Sequence, residues 1–572
     1  MNAMERYQQW CSNPYFDEAT RAELKALADA GNTAEIQDRF YRDLAFGTGG
    51  LRGILGAGSN RMNLYTVRKA TQGLANFILK KGTAAKGVAI SFDSRHMSPE
   101  FAEETALCLN ANGIPTYRFD SLRPVPMLSF AVRTLGCTAG VMITASHNPP
   151  AYNGYKVYWD DGAQVTAPLD REILDEVNAV TDYATVKTMT HDEAVAAGLY
   201  HTIGQELDDR YMATIQALVL DHDSITQAAG LKIVYTPLHG TGNLPVRRVL
   251  SELGFRNVFV VPEQEKPDGD FPTVKSPNPE DKAAFTLALG YAKEQGADLV
   301  LATDPDADRL GVFALDRASG EYKPLTGNMS GVLICDYLLR RRKELGVLPA
   351  NGAVVSTIVS TNMVRTVTEA FGMKYIDVLT GFKFIGEQMR LFEQNHTYAF
   401  QFGMEESYGC LVGTHARDKD AVVAVMALCE AAAWCYCQGK TLWDRMQELY
   451  REYGYYREDT VNLTYPGQEG AAKIASILES LRTNPLQSVG PCKVLKIRDY
   501  LKHTVLDLAT GAVTPTDLPE SNVLYYELEN DAWMCVRPSG TEPVVRVMVE
   551  AASAEEADRH ARAIADVVER EV

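Results

Sequence analysis

Five clusters in this chain combine side chains that can move or hold a phosphate or a sugar. In TASHNPPAYNGYK (144–156), Ser146 leaves an apolar run beside His147 and Asn148, two prolines fix the following loop, and Lys156 stands ten residues on. In TDPDADR (303–309), Asp304, Asp306 and Asp308 alternate, so in an extended loop three carboxylates can converge on one hard cation. Few all-protein ligands leave room for phosphate oxygens around that cation, which favours Mg2+. RPSGTEP (537–543) offers Arg537, the hydroxyls of Ser539 and Thr541 and the flexible backbone of Gly540, a compact phosphate cradle. MEESYG (404–409) and TGFK (380–383) add Glu405, Ser407, Thr380 and Lys383, types suited to sugar hydroxyls and a phosphate.

Other chemistries fit these clusters less well. A hydrolase nucleophile elbow reads GxSxG, which is absent around Ser146, and adjacent Ser and His rarely make the base contact of a triad. An EF-hand needs Gly and Glu at the sixth and twelfth loop positions, where this chain has Arg309 and Leu315. FGTGGLRG (46–53) does not match GxGxxG, nor does it follow a strand and open a helix, which argues against a dinucleotide site. Taken singly, the serine, RPSGTEP, MEESYG and TGFK segments can also be read as capped or solvated turns, since Ser, Asn, Gly and Pro are common turn residues.

The elements that must position these clusters recur three times beyond the first ~80 residues. The first copy runs from VAISFD (88–93) through a helix capped by Ser98 and stopped at Gly113, TYRFD (116–120) and a helix ending at Gly136 to GVMITAS (140–146). In the second, KIVYTP (232–237), a helix stopped at Gly254, NVFVVP (257–262) and a long helix after Pro279 lead to DLVLATD (298–304). The third has AVVSTIV (353–359), a helix stopped at Gly372, KYIDVL (374–379), the helix FKFIGEQMRLF and TYAFQFG (397–403). Each is a βαβαβ unit, which predicts parallel strands. The polar clusters lie just past strand ends, where open α/β sheets bind ligands.

From about residue 456 the pattern changes to short strands and a final helix capped by Ser553, with Glu556 completing a capping box. The expected fold is therefore α/β, with three successive βαβαβ-type domains around a central cleft and a smaller C-terminal α+β domain. The boundaries expected are 1–215 for the serine-loop domain, 216–325 for the metal-binding domain, 326–455 for the sugar-binding domain and 456–572 for the phosphate-binding domain.

Composition narrows the partners. Across 572 residues the chain is 46% hydrophobic and 23% charged, ordinary for a globular protein, and no apolar run approaches the ~20 residues of a membrane span. A net charge of −18 argues against nucleic-acid and anionic-membrane partners, which need a clustered basic surface. The N-terminus carries charges at once and lacks a signal-peptide core, and the ten cysteines show no metal-ligand spacing, so a cytoplasmic protein with buried reduced thiols is expected. No obligatory protein partner is expected.

Together and in this order, TASHNP, DPDADR, EESYG and RPSGTEP resemble the signature set of the α-D-phosphohexomutase superfamily. FGTGGLRG and NRMNLYTVRKA resemble its bacterial phosphoglucomutase branch, related to phosphopentomutases. The resemblance implies that Ser146 is the phosphoserine and, with Asp304, Asp306 and Asp308, ligates one Mg2+ per chain. It implies catalytic roles for His147, Lys156, Arg309 and Arg52. Lys156 matches the family's candidate base, provided burial or nearby cations weaken its hold on its proton. Substrate contacts are implied for Thr380, Lys383, Glu405, Ser407, Arg537, Ser539, Gly540 and Thr541. The implied reaction interconverts α-D-glucose 1-phosphate and glucose 6-phosphate with glucose 1,6-bisphosphate as activating intermediate. Phosphopentomutase, phosphomannomutase and glucose 1,6-bisphosphate synthase remain alternatives on the same fold, as does a phosphatase with an aspartate nucleophile in DPDADR.

Overall fold

The computed structural model of the chain describes residues 2–46, 50–465, 467–539 and 544–570. These fall into two compact units, one formed by residues 1–352 and 382–443 and the other by 353–381 and 444–572.

In the first unit, the helices Ala3–Ser12, Glu18–Asp29 and Thr33–Phe40 pack around an aromatic cluster in which Trp10 stacks on Phe16 at 4.1 Å and meets Phe40 and Tyr65 edge-on. The first repeated copy follows. Its strands Val88–Phe92, Thr116–Phe119 and Ala139–Ile143 pair in parallel and are nearly all buried, because helices cover both faces. The sheet has six strands, and one edge departs from the expected all-parallel arrangement. Tyr152–Trp159 runs antiparallel to Ala139–Ile143, and Gly50–Ile54 runs antiparallel to Tyr152–Trp159. The chain that leaves Ser146 can turn straight back, so it needs no crossover helix.

The helix after Val88–Phe92 spans Ser98–Ala111, but Ser98 is not its cap. Met97 occupies that position without a side-chain bond, and the Ser98 hydroxyl instead donates to Asp93 at 2.7 Å. Buried Asp93 competes for the hydroxyl and wins it.

The second copy forms a five-stranded sheet in which Lys232–Thr236, Asn257–Val260 and Leu299–Thr303 are parallel. Leu310–Asp316 and Glu321–Leu325 add an antiparallel edge. The long helix expected after Pro279 is shorter: a 3-10 turn at Lys282–Phe285 opens the ten-residue helix Thr286–Gln295. The hairpin Ala399–Glu405 and Gly409–Val412 and the helices Gly327–Glu344, Phe382–Asn395 and Ala421–Cys437 complete this unit.

The second unit contains the parallel pair Gly352–Thr357 and Lys374–Val378 with the helix Asn362–Ala370. It also contains an eight-stranded sheet backed by Gly467–Thr483 and Ala554–Arg570, as expected for an α+β domain. Ser553 Oγ accepts from the Glu556 amide at 3.2 Å, as its capping role requires.

All ten cysteines are free. Most are buried, while Cys437 is exposed and Cys11 partly so, a departure from the expectation for these two. Among the described residues no single helix is long and apolar enough to cross a membrane.

Candidate active site

Ser146 sits three residues past the end of Ala139–Ile143 with φ 51, a left-handed conformation that a non-glycine residue holds only when its surroundings impose it. The Thr144 hydroxyl accepts from its amide at 2.9 Å, and Arg95 supplies the rest of the constraint. The Arg95 guanidinium, fully buried, donates to the carbonyls of Ser146 (2.6 Å), Pro149 (2.9 Å), Tyr152 (3.1 Å) and Asn148. Asp93 faces it at 3.3 Å, so one buried ion pair folds the whole loop. Sequence reasoning missed Arg95; its place just past the end of Val88–Phe92 was the available signal.

The Ser146 hydroxyl donates to Asp304 Oδ2 at 2.8 Å and lies 3.2 Å from His147 Nδ1. Burial, then the cations Arg309 and Arg52, push the His147 imidazole well below its usual range, so the ring is neutral at pH 7. Arg52 reaches this loop through the antiparallel edge, donating to Asn148 Oδ1 at 3.0 Å.

Asp304, Asp306 and Asp308 are all buried, with carboxylate oxygens within 4.8 Å of one another. The turn that gathers them is pinned from outside: the Thr241 amide donates to Pro305 O (2.8 Å), the Val125 amide to Asp306 O (3.0 Å), and the amides of Asp308 and Arg309 to Asp304 Oδ1. Burial and the two neighbouring aspartates drive the Asp304 carboxyl well up. Burial pushes Asp306 the same way, but the Lys156 ammonium at 2.8 Å, a hydrogen bond with Asp304 and the charge of Lys419 together outweigh it, and the carboxyl is lowered. Asp306 Oδ1 and Asp308 Oδ1 are buried and have no hydrogen-bond partner. Three crowded carboxylates, two of them with a buried oxygen that lacks a hydrogen-bond partner, fit a hard divalent cation.

Lys156 stands 2.8 Å from Asp306 and 3.8 Å from Asp308. Its neighbours in this cluster are carboxylates, while the sequence reading named burial or nearby cations as what would suit it to a base role. Lys419, which sequence reasoning missed because no motif marks THARDKD, is a second cation here, 3.3 Å from Asp308 and 3.6 Å from Glu405. Burial raises the Glu405 carboxyl to about 7, with Lys419 opposing. Glu405 ends its strand and Ser407 lies in the following turn, which the Leu310 amide ties to the metal loop through Tyr408 O at 2.8 Å.

Ser146, His147, Lys156, Arg52, Arg309, the three aspartates and Glu405 therefore share one network. Lys383 lines a small cavity with Thr166 and Glu387. Thr380, Arg537 and Ser539 belong to the second unit. There Arg537 lies directly opposite Arg546 on neighbouring strands, and its Nε is buried without a partner. Two cations facing each other across a sheet are unfavourable unless an anion joins them, and Arg546, the one charge in the apolar run PVVRVMV, is another residue that sequence reasoning passed over. Gly540 and Thr541 lie outside the described residues.

A serine bonded to a carboxylate triad and surrounded by cations is equipped for phosphoryl transfer. Known proteins agree. Residues 43–184, 209–317 and 326–453 match the phosphoglucomutase/phosphomannomutase alpha/beta/alpha domains I, II and III, and 509–567 match the C-terminal domain of the same proteins. A phosphoglucomutase from Staphylococcus epidermidis is 36% identical over 541 residues, covering 94% of this chain and 96% of that protein. One from Staphylococcus aureus MRSA252 is 36% identical, covering 92% and 93%. Among solved structures, the open form of the Paramecium phosphoglucomutase pp63/parafusin superposes with a TM-score of 0.66 at 16% identity, covering 93% of this chain and 95% of its own. A phosphoglucomutase/phosphomannomutase family protein from Burkholderia thailandensis gives 0.65 at 18%, covering 92% and 97%. The chain belongs to the phosphoglucomutase/phosphomannomutase family of the α-D-phosphohexomutase superfamily and is an intramolecular phosphotransferase.

Proposed function

We infer that the chain interconverts α-D-glucose 1-phosphate and glucose 6-phosphate in the cytoplasm, through a phosphorylated Ser146 and glucose 1,6-bisphosphate. The hydrogen bond from the Ser146 hydroxyl to Asp304 inside the carboxylate cluster carries this reading, because it sets the nucleophile at a cation site. The curated relatives bearing the name phosphoglucomutase support glucose as the sugar.

In the first half-reaction, the sugar O6 forms a bond to phosphorus as the Ser146 Oγ–P bond breaks, and the O6 proton leaves to a base. In the second, Ser146 Oγ takes the phosphoryl group from O1 of the bisphosphate, and O1 regains a proton. The phosphoserine divides one difficult transfer into two in-line displacements. Asp304, Asp306, Asp308 and an oxygen on Ser146 would hold Mg2+, which supplies Lewis-acid stabilisation of phosphoryl charge. Arg309, Arg52, Lys156 and Lys419 offset the remaining charge, and Arg95 holds Ser146 at the angle from which Oγ faces the cluster. Neutral His147 orients the hydroxyl. Glu405 and Ser407 take sugar hydroxyls, with Thr380 and Lys383 as further contacts. Arg537, Ser539, Gly540 and Thr541 grip the phosphate that does not react.

The test is turnover of glucose, ribose and mannose 1-phosphates by coupled assay, with phosphopeptide mapping on the same sample. Fastest turnover of glucose 1-phosphate and label on Ser146 are expected. Label on Asp304 or Asp306 would instead indicate an aspartate-nucleophile phosphatase.

A further inference from the structure

The segment 266–281, between Pro262–Glu265 and the helix Thr286–Gln295, runs from the second α/β block to the serine loop. His239 anchors its start, with Nδ1 3.1 Å from Lys266 O and Nε2 2.9 Å from Thr273 Oγ1. Gly269 lies so close to His96 that a Cβ would come within 2.7 Å of the His96 amide nitrogen, and Asp270 pairs with the His96 ring at 2.7 Å. Phe271, fully buried with φ 45, lies 5.0 Å from the guanidinium of Arg95, the residue that folds the serine loop.

Two polar groups at the far end touch the catalytic loops. The Ser276 hydroxyl donates to the His147 carbonyl at 2.6 Å. The Glu280 carboxylate pairs with the Arg309 guanidinium, whose Nε lies 3.9 Å from Asp308 Oδ1. Arg309 thus sits between two carboxylates, one of them a proposed metal ligand. Glu280 gives the guanidinium a second carboxylate besides Asp308, and Ser276 fixes the His147–Asn148 peptide, one step past the left-handed Ser146.

We propose that 266–281 is a positioning strap for phosphoryl transfer, in which Glu280 keeps Arg309 on the reacting phosphoryl group and off Asp308 while Ser276 holds the His147–Asn148 peptide. This rests on the phosphoserine reading above. Misplacing either group costs orientation in the transition state and leaves sugar binding nearly intact, so the effect falls on kcat and not on KM.

The experiment uses the full-length enzyme and measures steady-state turnover of glucose 1-phosphate, single-turnover transfer of label from Ser146 to glucose 6-phosphate, and Tm. Glu280→Gln should slow both kcat and label transfer about tenfold with KM within about threefold, as expected for a lost orienting contact. Glu280→Asp, which keeps the charge, should recover part of the rate. Ser276→Ala should slow transfer by about threefold to tenfold, and Ser276→Thr should restore it. The proposal is overturned if Glu280→Gln and Ser276→Ala both keep kcat within about twofold of wild type, if the losses lie in KM, or if Asp and Gln at position 280 are equally impaired together with a lowered Tm. Absence of label on Ser146 in the wild type would overturn the phosphoserine reading itself, an outcome separate from normal labelling with unimpaired variants.

Discussion

Ser146 Oγ and Asp304 Oδ2 lie 2.8 Å apart although 158 positions separate them in the chain. The pair joins the two loops that end Ala139–Ile143 and Leu299–Thr303, the final parallel strands of the first two repeated blocks. Its chemistry leads directly to the first expectation.

Ser146→Ala should abolish phosphoenzyme formation and lower kcat by at least about a thousandfold, as loss of a covalent nucleophile does. Tm should stay close to wild type, since the hydroxyl is the only group removed. Mass spectrometry of the phosphopeptide covering 144–156 provides the direct check.

Chelation should remove turnover and Mg2+ should restore it, because one buried oxygen each of Asp306 and Asp308 has no hydrogen-bond partner. Asp306→Asn should weaken metal affinity by about tenfold or more, in line with the loss of one of few charged ligands. Calorimetric titration of Mg2+ measures this independently of activity. Undiminished turnover in excess EDTA would eliminate the metal assignment.

Lys419→Met should destabilise the first unit. The ammonium faces Asp308, Asp418 and Glu405, all buried, and its loss removes a cation that all three share. Removing one partner of a buried pair typically costs about 3–5 kcal/mol. A fall in Tm of several degrees is expected, and an unchanged melting curve would contradict it.

Arg537→Lys should lower kcat/KM for glucose 1-phosphate by at least about tenfold, or ~1.4 kcal/mol, since lysine cannot reproduce a two-pronged guanidinium contact. Wild-type kinetics in both the Lys and Ala variants would show that this strand end is a turn and no more.

Stability of the second unit should depend on Glu550. It is buried, accepting from the Asn362 amide at 2.9 Å and from Trp533 Nε1 at 3.0 Å, and burial raises its carboxyl to about 7. The folded state therefore binds the proton more tightly than the unfolded state, whose carboxyl titrates near ~4.3. Its contribution is fully present below that lower value and is lost as pH rises to about 7. Burial raises Glu430 and Glu405 in the same way, so the informative quantity is the difference between wild type and Glu550→Gln. Wild type should lose about 2–3 kcal/mol relative to the variant as pH rises from about 4.5 to about 7.5, since each pH step between the two titration points costs ~1.4 kcal/mol. Parallel denaturation curves across that range would rule it out.

Much of the architecture was legible because short-range patterns carry it. The runs VAISFD, KIVYTP and DLVLATD became strands because continuous β-branched and apolar residues suit a sheet covered on both faces. Gly136 and Gly254 ended their helices in left-handed conformations, as a glycine past a helix end allows. The cap on Ser98–Ala111 was not legible, because Asp93, five residues earlier, claims the Ser98 hydroxyl. Nor was the antiparallel edge carrying Lys156 and Arg52, since alternation within a strand does not reveal the direction of its neighbour.

The sequence by itself determined which residues can do the chemistry: a strand-end serine, three alternating aspartates and the arginine-bearing loop, each encoded within a few consecutive positions. Tertiary structure alone decided their company. Arg95 folding the serine loop, Lys419 facing Asp308, and Ser276 and Glu280 reaching His147 and Arg309 are contacts between distant segments. Local motifs follow from backbone preference and side-chain type. Which distant charge neutralises a buried carboxylate depends on sheet register and the packing of separate blocks, and no short stretch of sequence contains that information.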